Sequence, residues 1–193
     1  MIYLFLAPGF EEVEALAPLD LLRRAGLKVT TVAITEPATE RAVTGSHSIT
    51  VLADMSGDEF CRFADRHLRG EEPQPIEAVI LPGGMPGTTH LDESPIVDAA
   101  LRAAHGQNAY LCAICAAPMV LGKRGYLKGK RATCYPGFEA YLEGAEIGGY
   151  VIRDGKVITA AGMGVAQEFG LEIVSALLSP ARAGEIREAI QSF

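Results

Sequence analysis

The chain contains no tryptophan and only four cysteines among its 193 residues. Four thiols in a chain of this length do not build a disulfide framework, and a reducing cytosol is the simplest compartment for them. Positive charge is also scarce: 17 Lys and Arg stand against 24 Asp and Glu, for a net charge of −7. That balance argues against nucleic acid or an anionic membrane as the partner. No apolar run approaches the roughly 18 residues of a membrane span. No cationic stretch precedes the first apolar segment, which is expected to be a core strand and not a signal peptide. There is no internal repeat and no low-complexity stretch. What is present is an ordinary globular composition, 49% hydrophobic and 21% charged, which excludes a disordered chain. A single domain over residues 1–193 is expected.

The apolar pattern alternates between short continuous runs and helical spacing. Residues 1–7, 28–34, 78–81 and 109–114 have the length and composition of strands covered on both faces. Helices are expected over residues 11–25, 58–68, 94–105, 116–123, 165–178 and 180–191. Ser94-Pro95 is a strong start, with proline just inside the first turn. Residues 42–53 read as a hairpin around Gly45-Ser46 at one edge of the sheet. Residues 147–152 and 156–160 read as a second hairpin around Asp154-Gly155. Residues 70–75 (GEEPQP) read as a polar surface loop. Strands alternating with helices imply an α/β fold, a mostly parallel sheet covered on both sides. Ligands in such sheets bind at the carboxyl ends of the strands.

Three strand ends fall on that edge: Pro8-Gly9-Phe10 and the glutamates behind it, Pro82-Gly83-Gly84, and Ile114-Cys115-Ala116. A strand that passes into a helix with almost no loop forces its junction residue into a sharp turn, with the side chain projecting over the sheet edge. Ala113, Ala116 and Ala117 leave room for that turn at Cys115. A thiol at a helix N-terminus feels the positive end of the macrodipole, which favours thiolate. The amides of Ala116 and Gly84 are candidates for an oxyanion pocket, and glycine lets the backbone come close. By itself, a cysteine after a buried strand is more often a small core residue. The neighbouring glycine turn and the glutamates shift that balance. Glu11 and Glu12 read as ordinary acidic residues of a first helical turn. Glu14 sits between Val13 and Ala15 on the helix face that approaches the sheet edge. Beside an ionised thiol its carboxyl group must be protonated, and the two titrate as a coupled pair.

The segments PGFEEVEALAPLDLLRRAGLKVT, AVILPGG, AICAAP and AAGMGVAQEFGLEIVSAL occur in this order over nearly the whole chain. Together they resemble the ThiJ/PfpI superfamily, and most of all its branch of the parkinsonism-associated deglycase (DJ-one). The resemblance implies a flavodoxin-like three-layer sandwich, class I glutamine amidotransferase-like, usually a homodimer. It implies Cys115 as nucleophile and oxidation sensor, Glu14 as its partner and Gly84 as the glycine of the oxyanion pocket. It also implies activity on methylglyoxal, by glyoxalase III conversion to lactate or by deglycation of early adducts, together with a chaperone and redox-protective role. Three positions depart from the family pattern. Ala116 replaces the histidine that follows the cysteine in protease-like relatives, so a Cys-His dyad of that type is absent. Tyr135 stands where the deglycase branch often has histidine, and tyrosine is a poor base near pH 7. His47 stands in place of an arginine that closes the pocket, while Arg23 and Arg24 keep the family's pair.

Other residues invite alternative readings. Cys112 and Cys115 spell C-x-x-C, but three residues of extended chain span about 10 Å, beyond the roughly 7 Å a disulfide tolerates. Cys134 precedes Tyr135 and is a candidate resolving thiol, while Cys61 belongs to an amphipathic helix. His67, His90 and His105 share no metal-ligand spacing, and neither metal nor cofactor is expected. His67 is expected in solvent, and His90 borders the glycine turn. The turn lacks the lysine of a phosphate-binding loop. Two functions remain: a cofactor-free enzyme on small aldehyde or glycated substrates, and a redox sensor or chaperone with little turnover. Both require a reactive Cys115.

Overall fold

Alternate residues of the apolar runs go to opposite sides of one sheet. The computed structural model describes residues 1–68 and 75–192, with 65–68 described by backbone alone. The expected loop at 70–75 lies, apart from Pro75, outside the described residues, as does the side chain of His67. The strands in chain order are β1 (Ile2–Leu6), β2 (Val29–Ala33), β3 (Ala42–Thr44), β4 (Thr50–Leu52), β5 (Met55–Ser56), β6 (Ala78–Leu81), β7 (Tyr110–Ile114), β8 (Arg131–Ala132), β9 (Glu146–Ile147), β10 (Val151–Asp154) and β11 (Val157–Ala160). The helices are α1 (Glu12–Arg24), α2 (Gly57–Leu68), α3 (Gly87–Glu93), α4 (Pro95–Gly106), α5 (Pro118–Lys123), α6 (Ala166–Leu177) and α7 (Pro180–Ala189).

Seven strands form the main sheet in the order β10-β11-β7-β6-β1-β2-β5. All neighbours are parallel except β10, which turns back on β11. Ile2, Leu4, Leu6, Ile80, Cys112 and Ile114 pack on the side of α1, α6 and α7. Tyr3, Phe5, Val79, Leu81, Leu111 and Ala113 pack on the side of α2 to α5. The result is the flavodoxin-like three-layer sandwich. Among the described residues no helix is long and apolar enough to cross a membrane.

Three expectations change. The hairpin at 42–53 forms, but as a separate two-stranded ribbon of β3 and β4. The main sheet has no room for it, because β5 occupies the edge beside β2. The run at 147–152 divides: its start belongs to β9, paired with β8, and Gly149 at φ 75° separates it from β10. The helix expected from Ala116 begins only at Pro118. At 94–105 the expected cap is present, the Ser94 hydroxyl oxygen accepting from the Val97 amide at 3.4 Å with proline inside the first turn.

Candidate active site

Because β7, β6 and β1 are neighbours, the three chosen loops meet at one point of the carboxyl edge. The elbow at Cys115 is real. Its φ is 65°, a left-handed conformation that a residue with a side chain enters only where its surroundings hold it. Two backbone bonds hold it: the Cys115 amide donates to the Ala160 carbonyl and the Cys115 carbonyl accepts from Tyr135, both at 2.8 Å. Cys115 is half-buried, and none of the four cysteines forms a disulfide.

Glu14 reaches the elbow from the first turn of α1 and is 1% exposed. Its Oε2 accepts the Gly83 amide at 3.0 Å, and its carboxyl group hydrogen-bonds to the Cys115 thiol. Gly83 is required sterically: a Cβ there would lie 2.6 Å from both Cys115 Cβ and Glu14 Oε2. Gly84, at φ 88°, lies so close to the loop after β1 that a Cβ would meet the Glu11 nitrogen at 2.4 Å. The Glu11 amide fastens this packing by donating to the Gly83 carbonyl at 2.9 Å. The amides of Gly84 and Ala116 both donate to the Cys115 sulfur.

Charge at the pair differs from the expectation of a thiol lowered by a helix dipole. Burial and the negative charge of Glu14 push the Cys115 thiol up to about 12, against the two amides that favour thiolate. The dipole contributes little, since α5 starts three residues later and spans only Pro118–Lys123. Burial likewise raises Glu14 to about 7, with the charge of Glu11 adding to it and the thiol and the Gly83 amide opposing. Two acids in contact thus titrate as one coupled pair, the carboxyl giving up its proton first.

Tyr135 borders the site through its backbone, while its ring is 51% exposed and lies against Gly162. His47 sits on Glu12. Its Nδ1 is 2.9 Å from Glu12 Oε2, and its amide donates to Oε1 at 2.8 Å. Glu12 is therefore more than a first-turn acid. It is 3% exposed, and although burial opposes its charge, the hydrogen bonds from His47 and from the Ile49 amide lower it to about 2. No local pattern marks this role, because its partners are 34 or more residues away. Gly45 carries the one sequence trace of it, since a Cβ there would strike Glu12 Oε1 at 2.4 Å. Among the described residues, Glu11, Glu12 and His47 are also the group whose ligand atoms are close enough for a metal, all within 4.8 Å, but they already satisfy one another.

Cys112 is fully buried in β7, and Cys134 is buried in the core on the side of α2 to α5. Cys61 is exposed on α2. His90 donates from Nδ1 to the Pro8 carbonyl at 2.8 Å. Arg23 pairs with Asp54 at 2.6 Å and Arg24 with Asp20 at 2.6 Å, so both serve structure.

A family model described as DJ-1/PfpI matches residues 1–176. The Drosophila melanogaster protein dj-1beta is 34% identical over 96% of this chain and 93% of its own length. Its crystal structure superposes with a TM-score of 0.85, covering 98% of this chain and 96% of that one. The zebrafish (Danio rerio) Parkinson disease protein 7 homolog is also 34% identical, over 94% of this chain and 92% of its own. Oxidized DJ-1 of Toxoplasma gondii, 28% identical, gives a TM-score of 0.85 over all of this chain and 98% of its own.

Proposed function

The chain belongs to the DJ-1/PfpI family, and from that premise we propose a cofactor-free enzyme that adds the Cys115 thiolate to small reactive aldehydes, methylglyoxal first. One observation carries this reading. A carboxyl group near neutrality shares a hydrogen bond with a sulfur that also receives two backbone amides. Transfer of the thiol proton to the Glu14 carboxylate makes a nucleophile and an acid in one step. Sulfur attacks the aldehyde carbon, its C=O π bond breaks, and the oxygen takes the Glu14 proton, giving a hemithioacetal. The Glu14 carboxylate then removes the proton on that carbon, and the electrons pass to the adjacent ketone carbon through an enediol. Reprotonation at the second carbon gives a thioester, so one carbon is oxidised as its neighbour is reduced. Water cleaves the thioester to lactate and the free thiol. The amides of Gly84 and Ala116, which donate to the sulfur, favour the thiolate that starts the reaction.

Lactate production from methylglyoxal is expected to vanish in Cys115→Ser and to fall at least about a hundredfold in Glu14→Gln, the scale of one general acid–base group. Activity retained in both variants overturns the assignment. A second reading rests on the same contact. A protonated Glu14 can donate to a sulfinate oxygen and hold oxidation by peroxide at that stage. Intact mass separates the readings: two oxygens gained at Cys115 without turnover of aldehyde favour a sensor.

A further inference from the structure

Away from Cys115, a cavity of about 600 Å³ opens at the carboxyl edge between the segment leaving β2 and the α3–α4 pair. Small-molecule sites fall at about 300–1,000 Å³. Pro8, Ile34, Ala38, Pro95 and Ile96 make most of its wall apolar, and His90, Glu36 and Glu93 bring the chemistry. The Pro8 carbonyl can only accept, so the bond at 2.8 Å fixes the proton of His90 on Nδ1. In the tautomer with its one proton on Nδ1, Nε2 is a hydrogen-bond acceptor. Glu36 and Glu93 are exposed and pair with no cation among the described residues. The Thr35 hydroxyl is already given to the carbonyls of Pro37 and Glu40, both at 3.0 Å. Lone pairs and negative charge thus stand over an apolar floor. The complement of such a wall carries N–H donors and positive charge on a hydrophobic body.

We propose that this cavity binds a small organic ammonium, its N–H groups given to His90 and to the two glutamates and its apolar part seated on Ile34, Pro95 and Ile96. The site is separate from Cys115 and does not depend on the aldehyde chemistry. Benzylamine tests it, with benzyl alcohol as the neutral isostere. Both are titrated into the full-length ¹⁵N-labelled protein, and the amides of residues 34–38 and 90–96 are followed. Benzylamine is expected to give saturable shifts there and to bind at least about tenfold tighter than the alcohol, the factor of one 1.4 kcal/mol interaction. In Glu36→Gln/Glu93→Gln, whose exposed side chains leave the fold intact, the advantage of the amine is expected to disappear. His90→Gln is expected to weaken both probes, because each gives its proton to Nε2. Absence of saturable shifts, equal binding of amine and alcohol, or an undiminished advantage in the double variant overturns the proposal.

Discussion

At the scale of single residues, the chemistry turns on which group keeps one proton. The two amides on the Cys115 sulfur favour thiolate, but burial and the Glu14 charge outweigh them and push the thiol up to about 12. The thiolate therefore arises by transfer to Glu14, which burial has brought to about 7. Below that value both groups hold their protons. As pH rises through about 7 Glu14 loses its proton, and the remaining one stays on the thiol, hydrogen-bonded to the carboxylate. Alkylation by iodoacetamide is expected to keep accelerating well above pH 7, because the thiol is pushed up to about 12. In Glu14→Gln, which removes a charge and a hydrogen bond that raise the thiol, the midpoint is expected to move downward. Equal midpoints in the two proteins contradict the coupling. Glu14 was legible in the sequence because a carboxylate on an inward helix face calls for a partner. The charge of Cys115 was not, because it depends on burial and on one contact made across 101 positions of chain, from 14 to 115.

Elements were legible in proportion to their apolar period. The continuous runs became β1, β2, β6 and β7, whose alternate residues fill two cores. α3 went unread because its seven residues, GTTHLDE, contain one large apolar side chain. β5, β8 and β9 have two residues each, too short for any period to show. The β3–β4 ribbon was legible as a hairpin, while its anchor was not. Glu12 holds it by accepting the amides of His47 and Ile49, and Gly9 and Phe10 add backbone bonds to Thr44 and Ser46. In Glu12→Ala the His47 amide loses its acceptor. Hydrogen exchange at residues 46–49 is expected to speed up about tenfold, one hydrogen bond's worth of local stability. Exchange in β1 and β6 is expected to stay unchanged, since the ribbon pairs with neither. Acid acts in the same direction. Glu12 is lowered to about 2, so the stability it contributes is full above its ordinary 4.5 and is lost as pH falls through about 2.

For the whole molecule, the outer surface beside α1 carries exposed apolar side chains. Val13 on α1 is 44% exposed, Ile49 in the ribbon turn 54% and Leu52 on β4 75%. The bond from the Ile49 amide to Glu12 keeps the ribbon turn beside α1. We propose that a second copy covers this side and makes the homodimer that the resemblance implies. Val13→Asp/Leu52→Asp is expected to halve the mass measured by light scattering after gel filtration. A monomeric parent protein, or an unchanged dimer in the variant, rules this face out. The order in which the chain emerges gives the elbow a further property. Cys115 receives its backbone partners from Tyr135 and Ala160, both downstream of it. During synthesis from the amino terminus, Glu14, Gly83 and the thiol are all made before anything can lock the turn. A nascent chain halted short of Ala160 carries its thiol without the strand that sets its geometry. The geometry that couples the thiol to Glu14 is therefore complete only once the last strand of the sheet has been made.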